Sequence, residues 1–265
     1  MFTVNELMAY RLSQELRNDE MGFVGVGSSG RAFVFAVGLP MVASRLAQLT
    51  HAPHFSIQMG PLIDPVLEPL PSRWFDSIAY DRDASAFIDA VDNLDALQRG
   101  RVDVSFISGA QIDAYGNVNV TRITRSDGSA THLVGALALP EHQAFAQRAI
   151  VLADLSKRTF VEQVDFVSGV GRRSKGKRRD ELGLPGGGPV LVVTDRAVFD
   201  FSPETDRLRL RELYPGQSVD SVLAEMSFTP DIADELTTLG APPAEIISLI
   251  RDRIDTERVF LGVEP

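Results

Sequence analysis

The amino-acid sequence predicts an α/β fold built on an open, mostly parallel sheet with flanking helices. Two observations support this prediction. Apolar segments of strand character alternate along the chain with segments that carry apolar residues at helical spacing. The central stretch, Val102–Thr121, joins a buried type of strand to a turn of small residues. With 265 residues and no visible repeat or linker, we expect a single domain over residues 1–265.

The central stretch has the features of a ligand site in an α/β protein. Val102–Ile107 alternates apolar and polar residues, which predicts a strand. Ser108-Gly109-Ala110 then allows a ligand or another backbone to approach closely. Asp113–Asn119 predicts a turn. Ligands commonly bind at the carboxyl ends of the strands of such sheets, although an ordinary hairpin fits the spacing equally well.

The remaining elements follow from periodicity and composition. Helical spacing predicts helices over Val4–Arg17, Gly38–Thr50, Asp81–Arg99, Ser218–Met226, Asp231–Leu239 and Ala241–Asp255. β-Branched and aromatic content predicts strands over Arg31–Val37, Phe55–Met59, Ala149–Leu155, Phe160–Val167 and Leu191–Thr194, with Arg207–Glu212 as an edge strand.

A glycine-rich segment, Met21–Gly30, contains the pattern G-x-G-x-x-G. A dinucleotide site requires a helix to begin there and an acidic residue about 20 positions later. We expect a strand to follow instead, and no acid occurs between Gly30 and Asp64. The segment is therefore interpreted as a turn.

Composition excludes several classes of function. A net charge of −10 argues against binding to nucleic acid, and the absence of cysteine excludes disulfides and a cysteine nucleophile. The sequence shows neither an apolar run long enough for a membrane span nor a signal pattern, so we expect a cytoplasmic protein without a membrane partner. His51 and His54 flank Pro53 with no carboxylate nearby, so we expect no metal site.

Three segments resemble the β-subunits of family I CoA-transferases of the glutaconate CoA-transferase type. The segment S-G-A-Q-I-D-A-Y-G-N-V-N at Ser108–Asn119 is similar to the family's G-A-x-Q-x-D-x-Y-G-N-x-N. Leu182–Phe201 and Val37–Pro53 resemble two further segments, in the same order. The resemblance implies a CoA-transferase-like α/β fold, an acyl-CoA thioester as substrate, no covalently bound cofactor and a hetero-oligomer with an α-type subunit.

The same resemblance questions the usual chemistry. In this family a Glu of an E-x-G segment becomes a glutamyl-CoA thioester. When Phe55–Pro65 is aligned on Gly60-Pro61, the Glu position falls on Gln58, or on Gly60 after a shift of two residues. Neither is a glutamate. Gln58 is left to orient a water or to donate to a carbonyl oxygen, and Asp64 and Glu68 are the next acids.

The resemblance also implies a binding site for the acyl oxygen. The backbone N–H of Ser108, beside Gly109, corresponds to the family's oxyanion donor. Gln111, Asp113 and Asn117 are candidate substrate-binding residues that alternatively only stabilise the turn. The resemblance further places Thr131–Leu139 near the interior.

The run Gly171–Asp180 carries six basic residues, Arg172 to Arg179. We interpret it as a mobile surface loop, with contact to the phosphates of CoA as the alternative.

Three functions remain open at this point. The first is a family I CoA-transferase-like β-subunit without a glutamyl-CoA intermediate on this chain. The second is part of a CoA-thioester hydrolase, similar to the sterol-ring-degrading enzyme, with the acid/base on the α partner. The third is a non-catalytic partner of an α-type subunit.

Overall fold

The computed structural model describes residues 1–25, 30–68 and 82–262, which pack as two compact units. The first unit contains Met1–Ala96, Arg101–Phe106 and Ala241–Pro265, and the second contains Leu97–Gly100 and Ile107–Gly240. The single domain over residues 1–265 stays a prediction.

The first unit is built on the strand order β5-β1-β2-β3-β4. The strands are β1 Met21–Val24, β2 Ser56–Met59, β3 Leu62–Pro65, β4 Ala84–Phe87 and β5 Val104–Ser108. β1 pairs in parallel with β2 and β5, whereas β3 and β4 pair antiparallel with their neighbours. The predicted strands at Phe55–Met59 and Val102–Ile107 are confirmed.

Helices cover the first unit. They are Val4–Ser13, Gly30–Phe33, Leu39–Thr50, Ala90–Gln98 and Ala244–Leu249, with π-helical turns at Val34–Gly38 and Ile250–Ile254. Val4–Ser13 begins with a capping box between Thr3 and Glu6, as its sequence favours. The predicted helices at both ends of the chain are confirmed. The predicted helix Asp81–Arg99 is confirmed only over Ala90–Gln98, because β4 precedes it.

The strand prediction for Arg31–Val37 was wrong, because these residues are helical and continue into Leu39–Thr50. A buried run of apolar residues fits a strand or a helix equally well, and here packing decides. Gly30–Thr50 is also long and apolar enough to cross a membrane by length and composition, contrary to the expectation from sequence. However, 72% of its apolar window is buried inside the protein, as in a core helix.

The helix that begins at Gly30 also bears on the G-x-G-x-x-G pattern. It meets one requirement of a dinucleotide site, but the acidic residue is still lacking from the sequence. Residues 26–29 of the pattern lie outside the described residues.

The second unit is built on the strand order β16-β15-β14-β13-β10, with three two-stranded sheets beside it, β6-β7, β8-β9 and β11-β12. The strands are β6 Gln111–Ile112, β7 Val118–Asn119, β8 Arg122–Thr124, β9 Ala130–His132, β10 Arg148–Ala153, β11 Arg173–Ser174, β12 Lys177–Arg178, β13 Pro189–Thr194, β14 Ala197–Phe201, β15 Leu208–Leu213 and β16 Asp231–Thr238. Its helices are Leu139–Phe145 and Val219–Leu223, with a 3₁₀ turn at Asp180–Leu182.

Pairing in the second unit is mixed, and its core is apolar. β10 and β13 are parallel, β14 is antiparallel to both of its neighbours, and β16 is parallel to β15. Fully buried side chains such as Phe160 and Phe199 pack with aliphatic residues of these strands. The α/β class is confirmed, with antiparallel hairpins beside the parallel pairs.

Three expectations for the second unit fail. Asp231–Leu239 is a strand rather than a helix, because β15 pairs with it through most of its length. For the same reason Arg207–Glu212 is not an edge strand. Phe160–Val167 forms no regular strand, and Phe160 makes an isolated bridge to Ile112.

The segment Thr131–Leu139 differs most from the expectation of an interior position. Val134 and Leu137 are 89% and 91% exposed, whereas Leu139 is buried. Such long aliphatic side chains on one short segment are a surface that favours contact with another protein.

Candidate functional site

The predicted site residues fall into two groups, and each group belongs to one unit. Gln58 and Gly60 lie in the first unit, and Ser108, Gly109, Gln111, Asp113 and Asn117 lie in the second. Each group is described by itself.

Gln58 is fully buried in the middle of a three-stranded section of the first sheet. It lies on β2 opposite Phe23 of β1 and Ile63 of β3. Its Nε2 donates a hydrogen bond to Oδ1 of Asn93 on the helix Ala90–Gln98. Its Oε1 is buried and has no hydrogen-bond partner among the residues that the structure describes. A buried amide oxygen without a partner costs about 1–3 kcal/mol, which is typical of a position that binds something else.

Gly60 lies in the turn between β2 and β3 and has a φ of 53°. A glutamate at this position would adopt a left-handed backbone conformation, which costs about 1–2 kcal/mol for most residues. Gln58, on a regular strand, carries no such strain. The geometry therefore favours Gln58 as the counterpart of the family's Glu.

The next acidic residues of the first unit are held by other groups. Asp64 Oδ1 accepts from the N–H of Ile57 at 2.8 Å, and its Oδ2 accepts from Ser56 Oγ at 3.0 Å. Glu68 pairs with Arg45 at 2.5 Å and Arg253 at 3.0 Å, and these hydrogen bonds lower the pKa of Glu68. Both carboxylates serve the fold.

In the second unit, a buried carboxylate organises the turn. Asp113 Oδ1 accepts from the backbone N–H of Tyr115 at 3.0 Å, and from the backbone and side-chain nitrogens of Asn117 at 3.1 and 3.0 Å. Burial raises the pKa of Asp113, against the effect of these donors. Gly116 completes the turn with a φ of 73°.

Asn117 connects this turn to the segment that follows β10. Its Nδ2 also donates to the carbonyl of Arg173 at 2.8 Å, and its Oδ1 accepts from the N–H of Gly171 at 2.9 Å. An added Cβ at Gly171 would lie 2.1 Å from the carbonyl oxygen of Tyr115, so only glycine permits this approach. Asp113 and Asn117 are thus fully engaged in stabilising the turn.

Gln111 has a similar structural role. Its Oε1 accepts from Asn119 Nδ2 at 2.7 Å and from the N–H of Asp165 at 3.1 Å, and its Nε2 donates to Asp165 Oδ2 at 3.1 Å. The alternative in which Gln111, Asp113 and Asn117 stabilise the turn accounts for all of these contacts. Binding of substrate by these three side chains stays a prediction.

Ser108, Gly109 and Ala110 are half-buried at the end of β5. The N–H of Ala110 donates to the carbonyl of Asn119 at 2.9 Å, which closes the stretch onto β7. A Cβ at Gly109 would lie 2.3 Å from Val118 Cγ1. The absence of a side chain at Gly109 is therefore required by packing against Val118.

The interpretation of Gly171–Asp180 as a mobile loop was wrong, because these residues form the hairpin of β11 and β12. Arg173 and Arg178 lie opposite each other across the hairpin, where like charges repel. The buried carboxylate of Asp206 lies between them, at 2.8 Å from Arg173 Nε and 3.4 Å from Arg178 Nη1. Lys175 and Lys177 are exposed and have no ion-pair partner among the described residues.

Sequence reasoning missed two residues that support the turn. Gln143 donates to the carbonyl of Gly116 at 3.1 Å. Arg179 donates to the carbonyls of Gly171 and Gln143 at 3.1 and 2.6 Å, and burial lowers its pKa to about 10. No local pattern in the sequence signals these roles, because the partners lie 27 to 36 residues away.

Comparison with known proteins agrees with the geometry. Residues 6–225 match the family described as Coenzyme A transferase. The chain belongs to the coenzyme A transferase family. This confirms the resemblance carried by the three segments.

Two similar proteins are B subunits of CoA-transferases. That of the 3-oxoadipate CoA-transferase of Pseudomonas knackmussii is 30% identical to this family member over 253 residues, covering 94% of the chain and 92% of the relative. That of the glutaconate CoA-transferase of Acidaminococcus fermentans is 30% identical, with 99% and 96% covered.

A hydrolase and a solved structure extend the comparison. The IpdB component of the cholesterol ring-cleaving hydrolase of Rhodococcus jostii is 26% identical, with 82% of each covered. The crystal structure of the Acidaminococcus fermentans glutaconate CoA-transferase superposes with a TM-score of 0.82 at 28% identity, covering 99% of this chain and 98% of that chain. The CoA-transferase-like fold expected from the resemblance is confirmed.

Within the described parts of the chain, no group of three or more His, Asp or Glu residues is placed to hold a metal ion. The candidate chemistry is therefore argued from Gln58 in one unit and the backbone at Ser108-Gly109 in the other.

We predict that Asn117→Asp destabilises the protein by roughly 3 kcal/mol at pH 7, because a second carboxylate would replace a donor to Asp113. Repulsion raises the shared pKa of the two carboxyls in the folded state above that of the unfolded chain. The destabilisation should therefore grow as pH rises through that pKa and shrink below about pH 4. Urea unfolding at pH 4 to 8 measures it.

The matched control is Asn18→Asp, because Asn18 donates to Asp19 at 2.9 Å on the surface. That variant should stay within about 0.5 kcal/mol of the wild type. Equal effects of the two substitutions would contradict the role assigned to Asp113 and Asn117.

Proposed function

We propose that this chain is the β-type subunit of a heteromeric, family I CoA-transferase-like enzyme that acts on an acyl-CoA thioester without forming glutamyl-CoA on this chain. The observation that carries the proposal is Gln58, a buried amide with an unpaired oxygen at the counterpart of the family's Glu. The proposal includes a cytoplasmic location, no covalently bound cofactor, and neither nucleic acid nor membrane as a partner.

The chemistry follows from the difference between an amide and a carboxylate. A carboxylate attacks the thioester carbonyl, and the resulting anhydride then takes up CoA as a thioester. The amide of Gln58 is a poor nucleophile and forms no such anhydride. The nucleophile is therefore a water or a group of the α-type partner, while the backbone at Ser108-Gly109 stabilises the negative oxygen. Such a donor contributes about 2.7–4 kcal/mol in other acyl-transfer enzymes.

Two observations support an α-type partner. The relatives that match nearly the whole chain carry names that make each of them the B subunit of its enzyme. The exposed aliphatic side chains of Val134 and Leu137 lie in the second unit close to the β8–β9 hairpin. Apolar area removed from water stabilises an interface by roughly 25 cal/mol per Å².

A second candidate function is the hydrolysis of a CoA thioester, with the acid/base on the partner. The relative among cholesterol ring-cleaving hydrolases and the amide at position 58 favour it. The competing class is a non-catalytic chain that stabilises an active α-type subunit.

We predict that the chain alone is inactive and that it turns over acyl-CoA after co-expression with an α-type subunit. The assay uses glutaconyl-, 3-oxoadipyl- and acetyl-CoA, with light scattering to determine the assembly. Borohydride or hydroxylamine treatment during turnover should leave the peptides of this chain unmodified, because position 58 carries an amide.

The matched variant for assembly is Val134→Asp with Leu137→Asp, which should prevent association while the chain keeps its unfolding midpoint. A CoA adduct trapped on this chain, or a fully active monomer, would contradict the proposal. Turnover that is unchanged both by Gln58→Met and by disruption of the backbone at Ser108-Gly109 would identify the non-catalytic class.

The oxyanion site requires a test that separates packing from chemistry. Gly109→Ala alone should destabilise the protein, because the added Cβ meets Val118 Cγ1 at 2.3 Å. Adding Val118→Ala removes that clash and should restore the unfolding midpoint. If the backbone here binds the acyl oxygen, the double variant stays at least about tenfold below wild type in turnover, ~1.4 kcal/mol. Full recovery of turnover with stability would show that Gly109 serves packing only.

The hairpin of β11 and β12 supplies a candidate contact to the phosphates of CoA. It contains two of the three lysines of a chain with net charge −10. Asp206 offsets the charge of Arg173 and Arg178 only in part. Arg172 N–H donates to the carbonyl of Tyr115 at 2.7 Å, so the hairpin is joined to the turn of the candidate site.

We predict that Lys175→Ala with Lys177→Ala raises KM for an acyl-CoA about tenfold and leaves KM for the matching acyl-pantetheine within about twofold. Steady-state kinetics of the assembled enzyme at low and moderate salt measures this, and salt should reduce the difference. Lys157→Ala with Arg158→Ala is the control, because both are exposed in the same unit. Equal changes of KM for the two thioesters would contradict phosphate binding.

A further inference from the structure

We propose that Asn93 is a positioning residue that holds the amide of Gln58 with its oxygen, rather than its nitrogen, toward the reacting group, so that Gln58 binds a water. The inference rests on the proposed function, in which position 58 faces the thioester. It selects between the two roles that the sequence left open, orienting a water or donating to a carbonyl oxygen.

The orientation of Asn93 is fixed from its own helix. Its Nδ2 donates to the backbone carbonyl of Asp89 at 2.9 Å. A carbonyl oxygen only accepts hydrogen bonds, so the amide nitrogen of Asn93 must point to Asp89. The helix begins there, because Asp89 Oδ1 accepts from the N–H of Asp92 at 2.8 Å. Asn93 Oδ1 is thereby left to face Gln58.

The orientation of Gln58 follows from that of Asn93. Facing an acceptor, Gln58 must present its Nε2, which donates to Asn93 Oδ1. Its Oε1 then faces away from Asn93, buried and without a partner among the described residues. Three groups from two elements therefore set one flip state of a buried amide.

The remaining oxygen selects the chemistry of its ligand. An amide oxygen accepts a hydrogen bond and cannot donate one, so it binds a water and repels the carbonyl oxygen of a thioester. A water that donates one proton to Gln58 Oε1 keeps its lone pair available for attack on the carbonyl carbon. Its second proton goes to a base on the partner, and the thiolate of CoA leaves. Gln58 contributes orientation and accepts no proton.

Two substitutions at position 93 separate orientation from packing. Asn93→Asp loses the donor to Asp89 but keeps an acceptor toward Gln58, so the amide keeps its orientation. Asn93→Leu is similar in volume but offers no acceptor, so the amide is released. In the assembled enzyme we expect Asn93→Leu to lower kcat for hydrolysis at least about tenfold with KM little changed. Asn93→Asp should remain within about threefold of the wild type.

A double-mutant cycle shows whether Asn93 acts through Gln58. In a Gln58→Met background, Asn93→Leu should cause no further loss of turnover. NMR of glutamine side-chain amides, which needs no activity, should show the Gln58 protons protected from exchange in the wild type and in Asn93→Asp, and released in Asn93→Leu.

Equal losses in Asn93→Asp and Asn93→Leu, or an undiminished loss in the Gln58→Met background, would overturn the inference. Protected Gln58 protons in an enzyme that hydrolyses no thioester would refute the proposed function while leaving the amide orientation intact.

Discussion

The buried carboxylate of Asp113 is the constraint on which the second unit depends. Its burial is unfavourable for the charged form, and three nearby donors offset that cost. Because Asn117 supplies two of them and also binds the backbone of Gly171 and Arg173, one ion fixes the turn and the basic hairpin together. The backbone at Ser108-Gly109 ends next to this rigid structure, as a preorganised oxyanion donor requires.

Hydrogen-bond satisfaction separates scaffold from chemistry in this chain. Gln111, Asp113 and Asn117 have the side-chain types of a substrate site, yet their polar atoms are engaged with the protein. Gln58 differs, because one end of its amide is held and the other is buried without a described partner. A sequence shows the residue types but not this distinction, because it depends on contacts across 35 to 56 residues.

The parts of the fold that could be predicted are those whose local pattern agrees with their packing. Val4–Ser13 has helical spacing and a capping box, and β5 has the pattern of a buried strand. Arg31–Val37 and Asp231–Leu239 failed because neighbouring elements decide between helix and strand there. In the candidate site, Gln58 followed from the alignment of a short segment. Asn93 could not, because no local pattern joins residues that meet only after folding.

The amide pair of Gln58 and Asn93 bears on which reaction this scaffold supports under the proposed function. A glutamate at position 58 would place a carboxylate against Asn93 Oδ1, itself an acceptor held by Asp89. Two acceptors repel in a buried site, so that glutamate would stay protonated and lose its nucleophilicity. An amide at 58 and an acceptor at 93 are thus mutually consistent, whereas a nucleophilic glutamate needs a donor at 93. Conversion to a glutamyl-CoA mechanism therefore requires a change at both positions, since the single exchange to glutamate leaves the opposing oxygen in place.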